Sequence, residues 1–389
     1  MSEPLNRRQM LTGTGAAAAA AVLGLTRRAA AAPKATIHAI EVISRDAAYH
    51  GWPTIARRRN GELLLACSGG REGHVCPFGK VELMRSTDDG HSWSGPRVLM
   101  DMGIDNRDSG VVETARGSIL VTSFTSLAYE PLLAKAEKIR PGQPGAWAAD
   151  RLERWQDAQR RLSADDRRAN LGVWMLRSAD GGRTWSAPYD ALVNSPHGPI
   201  QLSDGRLLYA GVDLWRTPRR VRVCESIDDG RSWHLLAEIP VRPGDKSQGY
   251  HELHAVEADG GRLVVQIRNH NKASAGETLQ CESTDGGRSW SAPHSIGVWG
   301  LPSHLLRLAD GRLLMTYGYR RKPFGNQARL SDDQGRNWSE PIVISDDGAG
   351  GDLGYPSTVQ LADGSLVSVW YESMSGAAGA VLRQARWSC

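Results

Sequence analysis

The alternation of apolar runs and polar turns repeats six times along the chain. In each repeat an apolar stretch enters a short turn with glycine and a second apolar run follows, which predicts a β-hairpin. The turn glycines are Gly61, Gly117, Gly205, Gly261, Gly311 and Gly364. Repeats of about 50 residues indicate a β-propeller or, as the alternative, a solenoid.

A second hairpin in these units is marked by an eight-residue pattern, Ser-x-Asp-x-Gly-x-x-Trp. Its five copies occupy residues 86–93, 178–185, 226–233, 283–290 and 331–338. Ser and Asp side chains bond nearby backbone N–H groups, glycine adopts a positive φ, and Trp packs under the turn. Two hairpins per unit predict an all-β fold, a six-bladed β-propeller of four-stranded antiparallel blades.

One interval between the two hairpins is longer than the others. From Gly117 to Ser178 the chain carries roughly 40 more residues than the equivalent interval elsewhere, and this excess has helical composition and mixed charge. We therefore expect a helical insertion at about residues 128–168, in blade two.

The first residues predict an export signal. Arg7 and Arg8 precede a mild, Ala-rich apolar stretch, and small residues at 29–32 suit cleavage. The segment resembles a twin-arginine signal. We expect residues 1–32 to be this signal peptide, residues 33–389 to form the propeller, and the protein to be periplasmic or extracellular.

Charge and composition exclude several classes of partner. The formal net charge is +4 and no run of Lys or Arg exceeds three residues, so we expect no nucleic-acid partner. No stretch predicts a membrane span. We expect a monomer without a cofactor, and a structural calcium ion stays open. His251 and His254 would project to opposite faces of a strand, which argues against a metal site. Cys67 and Cys76 are close enough in sequence to bridge one loop.

The topology collects the unusual polar residues on one face. We name the strands of each blade a to d from the axis outward. The a–b and c–d turns lie on one face of the propeller, so the d–a and b–c loops lie on the other face. We call this second face the mouth. The first residue of each innermost strand lies nine positions before the hairpin glycine. These residues are Trp52, Asp108, Pro196, Glu252, Pro302 and Tyr355. Because propeller mouths are common ligand sites, we expect a functional pocket there.

The chemistry at this mouth suits an anionic substrate. Arg268 and either Arg320 or Arg321 come from adjacent blades, and guanidinium groups bind carboxylates through paired hydrogen bonds. A carboxylate on the reacting carbon would repel a carboxylate nucleophile, whereas a neutral Tyr hydroxyl would not. Tyr355 could act as that nucleophile if Glu252 accepts its proton.

Over about residues 45–385 the chain resembles the sialidase (neuraminidase) superfamily. The repeated eight-residue turn is similar to the Asp-box, or BNR repeat, of that family, and the segment from Pro196 resembles the family's third-blade segment. The segments around Glu252 and Tyr355 resemble parts of the sialidase site. The resemblance implies that Tyr355 is the nucleophile, Glu252 its base and Arg268 a substrate ligand. It also implies that Arg320 or Arg321 is a further substrate ligand.

By the same resemblance, Glu372 would brace one of the site arginines. The chain departs from the family pattern at two places. The family usually opens with an Arg-Ile-Pro element whose arginine binds the substrate carboxylate, whereas the matching stretch here, residues 51–54 (Gly-Trp-Pro-Thr), has no arginine. The loop that should carry the acid/base Asp has none. In that loop His74 is nearest, with Glu72 as the alternative, and a His serves as acid or base near neutral pH. Arg71, Asp108 and His197 are further candidates for contacts with the sugar.

Three functions fit this set of residues. The first is an exported, exo-acting glycoside hydrolase of sialidase type that cleaves a terminal acidic sugar, sialic acid or similar, from glycans. The second is a polysaccharide lyase or unusual hydrolase acting on uronic-acid glycans, in which His74, His197 and Tyr355 transfer protons. The third is a glycan-binding propeller without catalysis.

Overall fold

The computed structural model describes residues 33–44, 49–376 and 379–389. The predicted signal peptide, residues 1–32, lies outside the described residues. In chain order the strands are β1 (Thr36–Val42), β2 (Tyr49–Arg57), β3 (Leu63–Arg71), β4 (Lys80–Ser86), β5 (Arg97–Met100), β6 (Asp105–Glu113), β7 (Ile119–Ser126), β8 (Val173–Ser178), β9 (Tyr189–Asp190), β10 (Ile200–Gln201), β11 (Leu207–Val212), β12 (Val221–Ser226), β13 (His234–Glu238), β14 (Tyr250–Glu257), β15 (Leu263–Asn269), β16 (Glu277–Ser283), β17 (His294–Trp299), β18 (Ser303–Arg307), β19 (Leu313–Tyr319), β20 (Gly325–Ser331), β21 (Ile342–Ser345), β22 (Leu353–Gln360), β23 (Leu366–Ser373) and β24 (Ala380–Ser388).

These strands form six four-stranded sheets, and the neighbours within each sheet are antiparallel. Blades one to five take four consecutive strands each, from β2–β5 to β18–β21. Apolar side chains of adjacent blades pack against one another, as between β11 and β14, and this packing buries most of the strand residues. The predicted six-bladed propeller is confirmed.

Blade six closes the ring with strands from both ends of the described chain. Its order is β22, β23, β24 and β1, and β1 pairs with β24 from Thr36 opposite Ser388 to Val42 opposite Arg383. The outer strand is therefore not part of a c–d hairpin. This explains why the sixth unit lacks the eight-residue turn pattern.

The Asp-box turns follow the predicted chemistry. In blade one, Ser86 Oγ accepts a 2.8 Å bond from the Gly90 N–H, and Asp88 accepts from the Ser92 N–H. Hydrogen bonds from Ser92 hold the pKa of Asp88 at about 2. The Trp93 indole N–H donates to Gln384 in blade six at 3.0 Å, so this Trp also links its blade to the preceding one.

The helical insertion in blade two is confirmed and lies between β7 and β8. Its helices are α1 (Glu130–Ala136), α2 (Ala149–Arg160) and α3 (Ala164–Ala169). Trp155 of α2 is buried against Phe78 and Tyr129, and its indole N–H donates to Glu72 at 2.9 Å. The insertion therefore covers the b–c loop of blade one.

Cys67 and Cys76 are both buried free thiols, so the disulfide that their spacing permits is not formed. Burial raises the pKa of the Cys67 thiol well above its ordinary value. In the part of the chain that the structure describes, no helix has the length and apolarity needed to cross a membrane. Within the same residues no group of His, Cys, Asp and Glu is arranged to hold a metal ion.

Candidate active site

Backbone irregularities near the start of the innermost strands direct side chains toward the mouth. Trp52, Asp108 and Tyr355 have positive φ angles of 53°, 44° and 54°, and each lies at a shift in register between strands a and b. Such a conformation costs a non-glycine residue about 1–3 kcal/mol. A bulge redirects its side chain. These three residues, which the sequence places nine positions before a hairpin glycine, therefore share one backbone conformation with a positive φ.

Tyr355 and Glu252 form the centre of the site. The Tyr355 hydroxyl donates a 2.6 Å hydrogen bond to Glu252 Oε1, and Arg268 Nη1 lies 3.0 Å from both oxygens. Burial alone would raise the pKa of Glu252, but the charge of Arg268 and the bond from Tyr355 lower it to about 2. Burial and the Glu252 charge raise the pKa of Tyr355 well above its ordinary value. The resting pair is a neutral phenol bonded to a carboxylate that can accept its proton.

Arg320 is the one of the two adjacent arginines that lies beside Tyr355. Its guanidinium carbon is 5.8 Å from the centre of the Tyr355 ring, and its Nε donates to the Leu353 carbonyl at 2.9 Å. Its Nη2 is buried and has no hydrogen-bond partner among the described residues. Arg321 instead stacks on Trp299, with its guanidinium carbon 3.7 Å from the ring centre.

Arg107 is a mouth residue that the sequence argument did not select. Its guanidinium carbon lies 4.5 Å from the ring centre of Trp52, and its buried Nε has no hydrogen-bond partner within the described ranges. The sequence did contain a signal for Arg107, because this residue directly precedes Asp108, which was selected. The structure thus sets a guanidinium against the stretch, residues 51–54, that lacks the family's arginine.

His74 lies at the mouth and is held by a carboxylate that the sequence argument also missed. Its Nδ1 is 2.9 Å from Asp352 Oδ1, and the hydroxyls of Tyr49 and Tyr371 donate to the same carboxylate. Burial would raise the pKa of Asp352, but the bonds from His74 and the two tyrosines lower it overall. The His74 side chain is 48% exposed and its ring packs edge-on against Trp52. This geometry suits an imidazole oriented for proton transfer.

Two charged candidates from the same loop are engaged elsewhere. Arg71 is fully enclosed and pairs with the equally buried Asp105 at 2.6 and 3.1 Å. Glu72 accepts hydrogen bonds from Trp155 and Arg154 of α2, both at 2.9 Å. Both side chains thus have protein partners, and the Arg71 guanidinium carbon also lies 4.7 Å from the ring centre of Trp52. His74 is the loop candidate whose side chain is half exposed beside Trp52.

The expected contact of Glu372 with one of the site arginines is corrected by the structure. Glu372 is fully buried and accepts hydrogen bonds from Arg383 and from the Trp370 indole N–H. Both partners lie on β23 and β24 of its own sheet. Glu372 therefore pairs with Arg383 of its own blade and not with one of the candidate arginines of the mouth.

His197, a predicted contact to the sugar, is buried at 3% exposure. Its ring packs 5.3 Å from His254 and 5.0 Å from His304, and its Nδ1 lies 3.3 Å from the Thr54 hydroxyl. Burial lowers the pKa of all three imidazoles, that of His254 to about 3, so the cluster is neutral.

Comparison with known proteins agrees with this fold. The family model described as BNR repeat-like domain matches residues 147–368, which is more than half of the chain. The chain belongs to the BNR repeat-like domain family. A twin-arginine translocation pathway signal sequence matches residues 4–24, so the protein is exported, to the periplasm or the extracellular space.

The curated relatives are sialidases. The chain is 26% identical over 207 residues to a sialidase of Micromonospora viridifaciens, covering 45% of this chain and 32% of that protein. It is 24% identical over 324 residues to a sialidase of Bacteroides fragilis strain YCH46, covering 75% and 54%. The chain thus spans about a third to a half of the length of these relatives. The predicted resemblance to the sialidase superfamily is confirmed.

A solved structure shares nearly the whole fold. A protein of unknown function from Dyadobacter fermentans DSM 18053 superposes with a TM-score of 0.72 at 23% identity, covering 92% of this chain and all of that one. At this identity the likeness shows the fold alone. The chemistry of the present site must be argued from its own residues.

Asp108 is the remaining predicted contact to the sugar. It lies among the charged groups of the mouth, near Glu252 and Arg268. It is 6% exposed, and no side-chain hydrogen bond to its carboxylate occurs among the described residues. Burial, with the nearby negative charge of Glu252, raises its pKa to about 7, although Arg107 and Arg268 act in the opposite direction. Near neutral pH this carboxyl can therefore donate a hydrogen bond as well as accept one.

We expect Asp108→Asn to stabilise the protein at pH 8 and to change its stability little at pH 4. Because the folded-state pKa is raised from 3.8 to about 7, the stability linked to the neutral carboxyl is present below pH 4 and is lost as pH rises through 7. Asn stays neutral, so its advantage should grow to on the order of 2–4 kcal/mol. Urea unfolding at pH 4, 6 and 8 measures this, and a difference independent of pH would contradict the raised pKa.

Proposed function

We propose that this exported protein is an exo-acting glycoside hydrolase of sialidase type that cleaves a terminal acidic sugar from glycans. The observation that carries the proposal is the 2.6 Å hydrogen bond from the Tyr355 hydroxyl to the Glu252 carboxylate, beneath Arg268. A phenol bonded to an ionised carboxylate in a buried mouth is the pairing that an activated nucleophile needs. The names of the curated relatives support the same class of reaction.

In the first step the Tyr355 oxygen attacks the anomeric carbon while its proton passes to Glu252. The glycosidic bond breaks, and His74 in its protonated form gives a proton to the departing oxygen. In the second step neutral His74 takes a proton from water, and the water oxygen bonds to the anomeric carbon. The tyrosyl–sugar bond then breaks, and Tyr355 regains its proton from Glu252. Two displacements retain the anomeric configuration.

The substrate carboxylate would be bound by guanidinium groups on three sides of the mouth. Arg268 and Arg320 lie beside Tyr355, and Arg107 supplies a third group over Trp52. The buried Nη2 of Arg320 and Nε of Arg107 have no hydrogen-bond acceptor in the described part of the chain. A carboxylate satisfies such donors through charge-assisted bonds. Arg107 would thus replace in function the arginine that is absent from residues 51–54.

The role of His74 as acid/base gives a prediction that depends on the leaving group. We expect His74→Gln to lower kcat about 10²–10³-fold on natural glycosides, whose departing oxygen needs a proton, and much less on 4-nitrophenyl glycosides. Asp352→Asn should show the same pattern more weakly, because Asp352 orients the imidazole at 2.9 Å. Steady-state rates on both substrate types measure the ratio. Equal losses on both would argue that His74 does not transfer the proton.

The direct test is turnover of a fluorogenic sialoside by residues 33–389, beside the Tyr355→Phe variant. Release of fluorophore by the wild type and its loss in the variant would support hydrolysis of the sialidase type. Absence of release would contradict sialic acid as the substrate. Fluorogenic uronides and the absorbance of unsaturated products would then distinguish a hydrolase of uronic-acid glycans from a lyase.

A further inference from the structure

A second cavity opens on the mouth face, between the outer parts of blades two and three. Its volume is about 240 Å³. The chain segments around it are the start of β8, the end of β9 and the loop after β11, which all lie at the mouth side of their blades. The side chains used below are Trp174, Leu192, Leu214, Trp215, Asp190 and Arg216.

Trp215 forms an exposed wall of this cavity. At 47% exposure it is the one aromatic residue among the exposed large apolar side chains of the described residues. Its indole N–H donates to the Gly172 carbonyl across the gap between the blades, at 3.3 Å. The ring is therefore held in place while one face stays open to solvent. Ligand sites are concave and lined largely by apolar and aromatic side chains, as this wall is.

The other walls combine apolar surface with charged groups at the rim. Trp174 is half-buried and its indole N–H donates to the Thr125 hydroxyl, so this second ring is also fixed. Leu192 and Leu214 supply aliphatic surface. Asp190 and Arg216 are exposed at the edge, where a carboxylate can accept from hydroxyl groups and a guanidinium can donate to them.

This combination fits one pyranose ring. The C–H face of a sugar is apolar and can cover an indole ring, whereas its hydroxyls lie at the ring edge and need polar partners. The cavity is smaller than the roughly 300–1,000 Å³ typical of sites for drug-sized ligands, so it suits a single sugar unit. A free carboxylate or phosphate has no apolar face to match Trp215.

We propose that this cavity is a second carbohydrate subsite, in which one neutral hexopyranose unit of a glycan stacks on Trp215. The inference rests on the proposed function for the nature of the ligand, because it takes the mouth to act on glycans. The sugar can belong to the same glycan whose terminal residue enters the Tyr355 mouth, or to a separate chain that anchors the protein.

Binding is tested with the Tyr355→Phe protein, which excludes turnover. It is exposed to an array of neutral hexopyranose oligosaccharides, and the best ligand is measured by titration calorimetry. Trp215→Ala in the same background should weaken binding at least about tenfold, and Trp215→Phe should recover part of it because the ring is kept. Ile227→Ala is the matched control, since Ile227 is an exposed apolar residue in the same blade on the opposite face.

Failure of every oligosaccharide to bind, or equal binding by Trp215→Ala, would overturn the subsite. Neither result depends on turnover at Tyr355, so failure of the subsite and failure of the proposed hydrolase are distinguished. The source of the sugar follows from kinetics of Trp215→Ala in the otherwise native protein. A fall in kcat/KM for extended glycans but not for aryl glycosides assigns the cavity to the substrate, and loss of binding with unchanged kinetics assigns it to an anchoring glycan.

Discussion

Tyr355→Phe should lower kcat by about 10³-fold or more and leave the fold intact. The variant removes only the hydroxyl, which donates to Glu252 and receives a bond from Arg268. Without that oxygen no covalent bond to the sugar can form at this position. Glu252 and Arg268 still form their 3.0 Å ion pair, so we expect the mouth to keep its shape and its affinity for substrate.

The matched control for this variant is Tyr317→Phe. Tyr317 is also buried, and its hydroxyl also bonds an arginine, Arg329, but it lies in blade five away from Glu252. Its loss should affect stability slightly and kcat hardly at all. Steady-state kinetics with circular dichroism of both variants provide the comparison. A Tyr355→Phe protein that retains full activity would exclude Tyr355 as the nucleophile.

Arg71→Ala should destabilise the protein by about 3–5 kcal/mol, because it leaves one charge of a buried pair without its partner. Arg71 and Asp105 have fully enclosed side chains, and their two hydrogen bonds join blade one to blade two. The guanidinium also bonds the carbonyls of Gly73 and His74, so it fixes the loop that carries the proposed acid. We expect lower stability together with lower kcat.

Urea unfolding of Arg71→Ala beside the double variant Arg71→Met with Asp105→Leu separates the two roles of Arg71. The double variant removes both charges and fills the space with apolar groups, so it should recover much of the lost stability. If Arg71→Ala instead kept its stability and only raised KM, Arg71 would be a substrate ligand, as the sequence suggested.

The positions around the axis could be predicted because the repeat is regular. Counting nine residues back from each hairpin glycine reached Trp52, Asp108, Glu252 and Tyr355, and the structure gathers these residues at the mouth. Four-stranded blades follow from two hairpins per unit. Periodicity therefore carries information about which strand, and which end of it, a residue occupies.

Partners between neighbouring blades could not be predicted in the same way. Arg320 and Arg321 are adjacent in sequence, and the sequence does not show which of them faces the site. In the structure Arg320 lies against Tyr355 and Arg321 against Trp299. Asp352 belongs to blade six but holds His74 of blade one. Such contacts depend on side-chain directions in loops, for which the sequence has no period.

Glu372 shows the same limit within a single sheet. Its proposed contact came from resemblance to a family, whereas Arg383 lies on β24, the next strand of the same blade, and is close enough to bond. The closure of blade six by β1 is a related case. A strand that pairs with the far end of the chain leaves no local hairpin signal.

The central claim is that Tyr355 forms a covalent bond to an acidic sugar. The most direct measurement is mass spectrometry of the protein after incubation with fluorinated, slowly released substrates, namely 2,3-difluorosialic acid and the 2-fluoro glycosyl fluorides of glucuronic and galacturonic acid. We expect one of them to add a single sugar to the peptide that contains Tyr355, with no adduct in Tyr355→Phe. An adduct on any other residue, or turnover of these sugars without an adduct, would contradict the account.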